Sequence, residues 1–241
     1  MTPTHSKRSI FSALIWKLLE RGGTQGVQFV VQIVLARLLL PADYGLLTIV
    51  VIFITLAGVL VQSGLNTALI QKKEADALDF SSVFYLSLGF AAVLYVVLFL
   101  TAPLIAAFYE APQLVPVLRV LALTLFFGAL NSIQNAWVAR HMLFKKLFFS
   151  SFGAIIVSGL VGILLARAGL GVWALVAQQL VSQCMVAFIL WFTVRWRPQR
   201  LFALARVKTL FAYGWKLMTS SLIDALYQDL RGLIIGKIYT P

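Results

Sequence analysis

The sequence predicts an all-α polytopic membrane protein, and three observations support this fold class. Of the 241 residues, 61% are hydrophobic and only 12% are charged, whereas soluble domains are about 45–50% apolar and about 25% charged. The mean hydropathy is +0.94. Apolar stretches long enough to cross a hydrocarbon core about 30 Å thick recur along the chain. Because backbone groups in hydrocarbon must be paired within their own segment, these stretches are expected to be helices.

Seven apolar segments are predicted as membrane spans, since each approaches or exceeds about 20 residues. Six of them follow one another through short connections, and the seventh comes after a longer basic connection. The predicted spans are residues 15–38, 44–68, 83–106, 114–139, 148–168, 172–194 and 212–238.

The basic connection suggests a boundary between two lobes. Residues 1–194 are predicted to form a six-helix transmembrane lobe, 195–211 a basic cytoplasmic linker, and 212–241 the first transmembrane helix of a second lobe. The tripeptide Trp-Lys-Leu at Trp16 recurs at Trp215, which supports an internal repeat. An even number of spans separates the copies, so the repeat is parallel, a plan known among transporters. We therefore expect this chain to be incomplete, with the coding sequence continuing beyond Pro241.

Basic residues are distributed unevenly between the connections. With the amino terminus placed in the cytoplasm, 14 Lys and Arg residues lie on the cytoplasmic side and 4 on the opposite side. The positive-inside rule then predicts a multi-pass membrane protein with a cytoplasmic amino terminus. The basic residues lie between apolar segments and do not form one solvent-exposed basic surface. No nucleic-acid partner is therefore expected. The connection containing Lys72, Lys73, Glu74, Asp76 and Asp79 is interpreted as a solvated loop.

The sequence offers little material for catalysis. It has no glycine-rich phosphate loop with a lysine, and most of its 8 acidic residues lie in loops. Cys184 is the sole cysteine, and His5 and His141 are far apart, so neither a metal centre nor a catalytic group is expected. We therefore predict a transporter driven by a substrate or ion gradient, without a cofactor, and not an enzyme.

Polar residues that share a helix face are the candidate substrate-cavity residues. In the first span, spacings of four, three and four residues place them on one face, and the seventh span repeats this pattern. They are Arg21, Gln25, Gln28 and Gln32 in the first span, Gln62 and Asn66 in the second, Asn131 and Asn135 in the fourth, and Asp224 and Arg231 in the seventh. Ionisable groups at membrane depth are costly unless paired or hydrated, which favours a cavity. The alternative is that the amides join neighbouring helices by hydrogen bonds.

Five segments resemble a known group of membrane proteins. They are ARLLLPADYGLL (36–47), GLNTALIQ (64–71), APLIAAFYEAPQLVPVLRVLAL (102–123), FKKLFF (144–149) and GVWALVAQQ (171–179). They resemble the polysaccharide flippases of bacterial envelope synthesis, and more narrowly the lipopolysaccharide and exopolysaccharide exporters of the MATE-like multidrug/oligosaccharidyl-lipid/polysaccharide exporter superfamily. The resemblance implies a six-helix amino-terminal lobe of a MATE-like transporter plus the first helix of a second lobe, around a central cavity.

The resemblance also implies a function. It implies that undecaprenyl-diphosphate-linked oligosaccharide is moved from the cytoplasmic to the periplasmic leaflet for lipopolysaccharide or exopolysaccharide synthesis, coupled to a proton or sodium gradient. Basic residues of the cavity would meet the diphosphate, a role carried here to Arg21 and Arg231. The implied partners are the lipid-linked oligosaccharide, membrane lipids, a polysaccharide polymerase and glycosyltransferases.

Two alternatives stay open at this point. One is a cation-coupled multidrug antiporter of the same superfamily, which would be expected to use an embedded acid, for which Glu20 is the candidate in the first lobe. The other is a membrane-embedded scaffold for polysaccharide assembly that transports nothing.

Overall fold

The computed structural model describes residues 7–62, 65–72, 75–194, 196–199 and 201–238, and their side chains except at 7–14, 71, 205, 213 and 228–238. The described residues form helices joined by short turns, without strands. The helices are α1 (Lys7–Leu38), α2 (Pro41–Gln62), α3 (Leu65–Gln71), α4 (Ala77–Phe108), α5 (Leu114–Leu121), α6 (Thr124–Arg140), α7 (Phe144–Arg167), α8 (Val172–Thr193) and α9 (Leu204–Ile238).

Five helical segments in the described ranges are long and apolar enough to cross a membrane, which confirms the all-α polytopic fold class. They are Pro41–Ile70, Ala77–Phe108, Leu114–Arg140, Phe144–Arg167 and Val172–Thr193. Helices α1 and α9 have 32 and 35 residues but are more polar and are not among these five. Their crossing of the membrane therefore stays a prediction.

Two predicted spans are each made of two helices. The second span consists of α2 and α3, and the fourth consists of α5 and α6. Between α5 and α6, the N–H groups of Leu125 and Phe126 donate to the carbonyls of Ala122 and Leu123, three residues back. This tighter pattern interrupts the regular helix without leaving its backbone groups unpaired.

Helix α2 lies in the middle of the bundle, where it contacts α4, α5, α6, α8 and α9. Helix α7 packs between α1 and α8, and α9 packs against α2, α3 and α4. Close approach of α1 to α7 depends on Gly159, because a Cβ atom there would lie 2.7 Å from Cγ2 of Val31. Gly162 has the same role toward Gln178 of α8, at 3.1 Å. Small residues at such crossings are the usual basis of helix packing in membranes.

The carboxylate of Asp79, in the first turn of α4, is completely buried. Its Oδ2 accepts hydrogen bonds from Nζ of Lys72 at 2.6 Å and from the backbone N–H of Asp76 at 3.2 Å. Its Oδ1 lies 3.5 Å from Nη1 of Arg206, in α9. A buried charge is tolerated only when it is paired and hydrogen-bonded in this way. The prediction of a solvated loop is therefore wrong for Asp79.

Asp76 caps the amino terminus of α4. Its Oδ1 accepts from the backbone N–H of Asp79 at 2.9 Å, which completes a reciprocal capping box. That hydrogen bond is the largest influence lowering the pKa of Asp76, and the charges of Arg206 and Lys72 lower it further. A depressed carboxyl pKa stabilises the fold above the ordinary pKa, and this contribution is lost as the pH falls through the lowered value.

Two serines that follow Asp79 hold the segment that leads into α9. The hydroxyl of Ser81 accepts from the backbone N–H of Gln199 at 3.0 Å, and that of Ser82 accepts from Ala203 at 3.1 Å. Both serines are fully buried. Together with Arg206, they attach the start of α9 to the start of α4.

We predict that Asp79→Asn destabilises the protein because it leaves the Lys72 ammonium without its buried counter-ion. Breaking a buried pair costs about 3–5 kcal/mol, and Lys72 is partly exposed, so we expect about 3 kcal/mol. For a chain of this size this corresponds to a fall in melting temperature of roughly 6–12 °C. Thermal unfolding in detergent micelles measures it. The control is Glu110→Gln, an exposed acid; an equal fall in both variants would contradict the assigned role of Asp79.

Candidate functional site

One face of α1 packs against α7 through aromatic and apolar side chains. Trp16 contacts Phe148 at a ring-centroid distance of 5.6 Å, and Val31 contacts Gly159. Leu35, four residues after Val31, is completely buried. At about 100° per residue, Trp16, Val31 and Leu35 lie on the same side of α1 and form an apolar stripe.

The four polar residues predicted on α1 lie together beside this stripe. Helical geometry places them about a quarter-turn from Val31, between the stripe that faces α7 and an exposed apolar face. Arg21 and Gln25 are exposed, whereas Gln28 and Gln32 are half-buried. From Arg21 to Gln32 the row extends about 16 Å along the helix axis, which is roughly half of a hydrocarbon core. Whether this row faces a water-filled cavity stays a prediction.

The polar residues predicted on the second and fourth spans come together around α6. Asn66 donates from Nδ2 to Oγ of Ser132 at 2.7 Å. Gln62 packs directly on Gly128, where a Cβ atom would lie 2.6 Å from Nε2 of Gln62. A larger residue at position 128 would therefore require this amide to shift. These contacts join the second span to α6.

A further pair joins α6 to α8. Asn131, which is buried, donates from Nδ2 to Oε1 of Gln183 at 2.9 Å and to the carbonyl oxygen of the same residue at 3.2 Å. Gln183 and Ser132 were not among the predicted residues. Their partners lie 52 and 66 positions away in the chain, so no local spacing indicates them.

The cluster around α6 contains three buried amide oxygens that accept no hydrogen bond within the described residues. The Oδ1 atoms of Asn66, Asn131 and Asn135 are buried and have no hydrogen-bond partner in the described part of the chain. A buried acceptor without a partner costs about 1–3 kcal/mol, and hydrocarbon cannot supply a partner. Water or a hydroxyl-rich ligand would satisfy all three atoms.

The remaining candidate residues belong to α1 and α9. Asp224 of α9 is exposed, and the side chain of Arg231 lies outside the described residues. Glu20 is half-buried and accepts from Nζ of Lys17 at 2.7 Å, so this acid is already paired with a base on its own helix. In the part of the chain that the structure describes, no three His, Cys, Asp or Glu side chains converge as metal ligands.

The arrangement therefore supplies hydrogen-bonding groups on α1 and around α6, and positive charge on α1. An amide cluster with free acceptors lies around α6, and a polar row with a guanidinium lies on α1. Such groups suit the binding of a polar, anionic solute within a bundle of apolar helices.

Comparison with known proteins relates the chain to envelope polysaccharide synthesis. It is 28% identical over 242 residues to the succinoglycan biosynthesis transport protein ExoT of Rhizobium meliloti (strain 1021), covering 98% of this chain and 48% of the relative. It is 29% identical over 239 residues to the lipopolysaccharide biosynthesis protein WzxC of Escherichia coli (strain K12), covering 96% and 48%. It is 25% identical over 189 residues to the teichuronic acid biosynthesis protein TuaB of Bacillus subtilis (strain 168), covering 75% and 38%.

The chain spans less than half the length of each of these three relatives. No solved structure matches it. The family described as "Polysaccharide biosynthesis protein" matches residues 34–241, which is most of the chain. This match confirms the resemblance identified from the sequence segments. The chain is a member of the polysaccharide biosynthesis protein family of multi-pass membrane proteins.

Proposed function

We propose that the whole protein to which this chain belongs moves a lipid-linked oligosaccharide across the bacterial inner membrane for lipopolysaccharide or exopolysaccharide synthesis. The substrate is undecaprenyl-diphosphate-linked oligosaccharide, and the movement runs from the cytoplasmic to the periplasmic leaflet, driven by a proton or sodium gradient. The names of the three relatives, which concern succinoglycan transport, lipopolysaccharide synthesis and teichuronic acid synthesis, support a polysaccharide substrate.

The observation that carries this proposal is the polar row on α1. Helical geometry places its four side chains about a quarter-turn from the stripe that packs against α7, with Arg21 and Gln25 exposed and Gln28 and Gln32 half-buried. A lipid-linked sugar needs such a surface, because its glycan must pass through the hydrocarbon core while its lipid tail stays in hydrocarbon. We propose that α1 presents this row to a central cavity, which the second lobe of the whole protein completes.

The guanidinium of Arg21 is suited to binding the diphosphate of the substrate. A guanidinium binds phosphate oxygens through paired, charge-assisted hydrogen bonds, and Arg21 is exposed. Arg21 makes no ion pair with any acid that the structure describes. The amides of Gln25, Gln28 and Gln32 can donate to and accept from sugar hydroxyls along the same face. We propose the same phosphate-binding role for Arg231.

Water access to the row on α1 tests the cavity itself. In a Cys184→Ala background, we compare Gln28→Cys with Val30→Cys, an exposed residue two positions away on the opposite flank of α1. A charged, membrane-impermeant thiol reagent is expected to label the cysteine at 28 quickly and the one at 30 slowly, because only the former would meet water. Labelling is followed by mass spectrometry in the whole protein. Equal rates, or faster labelling at position 30, would contradict a cavity on this side of α1.

Removal of the guanidinium tests its role in transport. We expect Arg21→Ala in the whole protein to lower the initial rate of lipid-linked oligosaccharide translocation in proteoliposomes by roughly 10- to 100-fold, because a charge-assisted hydrogen bond contributes about 1.5–3 kcal/mol. Expression should be unchanged. The matched control is Arg37→Ala, an exposed arginine at the other end of the same helix. Normal transport by Arg21→Ala at normal protein level would refute the role of Arg21.

A further inference from the structure

A groove lies between α6 and α8, away from the polar row on α1 and beside the hydrogen bond from Asn131 to Gln183, neither of which lines it. It is a cavity of about 210 Å³. Its walls are apolar and aromatic, and they are formed by Phe127 and Leu130 of α6 and by Ala187, Phe188 and Trp191 of α8. Phe188 is 58% exposed at the edge of the groove, so the groove opens outward from the bundle.

The groove turns away from the centre of the bundle. On α6, Gly128 faces α2, where it meets Gln62. Residues 127, 130 and 134 lie roughly a third of a turn away from Gly128 around the helix. Because α9 packs against α2, α3 and α4, the groove is also remote from α9. In a membrane, such an outward groove meets lipid.

A buried amide at the base of this groove has no partner. Gln134 lines the groove and is only 2% exposed, and neither its Nε2 nor its Oε1 is hydrogen-bonded to any residue that the structure describes. An unpaired amide carries a desolvation penalty that apolar walls and acyl chains cannot relieve. A ligand that fits this groove must therefore place a polar group against Gln134 and apolar surface against the aromatic walls.

Basic residues flank the end of the groove at which Trp191 lies. The guanidinium carbon of Arg197 is 4.7 Å from the ring centroid of Trp191, and Arg197 is exposed. Nζ of Lys146 donates to the carbonyl oxygen of Thr193, two residues after Trp191, at 2.7 Å. In the described ranges, neither base makes an ion pair with an acid. Positive charge at this end is available to an anion.

The depth of these groups matches a phospholipid. Gln134 lies six residues before the end of α6, or about 9 Å along the axis, and Arg140 marks that end. Arg197 and Lys146 lie beyond or near the ends of their helices, where long basic side chains reach the headgroup region. A glycerophospholipid has its phosphate at the surface, ester oxygens just below it and acyl chains deeper.

We propose that this groove is a binding site for one anionic glycerophospholipid. The phosphate lies near Arg197 and Lys146, an ester oxygen accepts a hydrogen bond from Nε2 of Gln134, and an acyl chain lies along Phe127 and Phe188. This site is separate from the proposed transport cavity, and its existence does not depend on the transported substrate.

Native mass spectrometry of the full chain, titrated with defined lipids in detergent, tests the site. The wild type is expected to bind dioleoyl phosphatidylglycerol more tightly than dioleoyl phosphatidylcholine. Arg197→Gln and Lys146→Gln should each weaken binding of the anionic lipid about fivefold, which is the effect of one base near a charged headgroup. The control is Arg167→Gln, an exposed base at the opposite end of α7, which should change nothing.

The ester contact is tested with the ether-linked analogue of phosphatidylglycerol. The wild type should prefer the ester lipid, and Gln134→Leu should bind both lipids equally while keeping its melting temperature. The proposal is overturned if both headgroups bind equally, if Arg167→Gln weakens binding as much as Arg197→Gln does, or if Gln134→Leu keeps the ester preference. Tighter binding of a polyprenyl phosphate, which has no ester groups, would also overturn it.

Discussion

The buried carboxylate of Asp79 is the interaction on which the placement of α9 depends. It joins Lys72 at the end of α3, the cap of α4 at Asp76, and Arg206 in α9. Moving an ion out of water has a large desolvation free energy, and only its full set of partners offsets this penalty. Because Lys72 and Asp76 are near in sequence but Arg206 lies 127 positions away, the carboxylate has all of its partners only when α9 is in place. The hydroxyls of Ser81 and Ser82 extend the same junction to the backbone before α9.

Polar groups in this bundle are used in two different ways. Around α6, amides such as Asn66 and Asn131 bond to neighbouring helices, and such bonds between membrane helices are individually modest. On α1, the polar row lies beside the surface that packs against α7, and two of its four side chains are exposed. The first use holds helices together, and we propose that the second serves a solute. The proposed transport function rests on the second use, and the buried acceptors left free around α6 would add to it.

Much of the helical architecture could be predicted because apolar length directly reflects the thickness of the hydrocarbon core. The predicted ends at Ala106 and Val194 lie within a few residues of the helix ends at Phe108 and Thr193. The sequence pattern did not indicate that α9 begins as early as Leu204. The residues before 212 include several bases, which are typical of a solvated connection between helices.

The burial of Asp79 could not be predicted from its neighbourhood. Its local sequence is rich in charge, and Arg206 lies 127 positions later in the chain. The contacts of Asn131 with Gln183 also depend on tertiary packing, since the two residues are 52 positions apart. For the candidate site, helical spacing grouped the residues of α1 on one face. Spacing alone does not show what that face meets, because this depends on the neighbouring helices.

The most direct test of this account is disulfide trapping at the junction between α4 and α9. Ser82 and Ala203, whose hydroxyl oxygen and backbone nitrogen are 3.1 Å apart, are both changed to cysteine in a Cys184→Ala background. Mild oxidation should link them readily when Asp79 is present and much more slowly when Asp79→Asn is added. A folded protein in which the link never forms, or forms equally fast with and without the carboxylate, would contradict the claim that Asp79 seats α9 on the bundle.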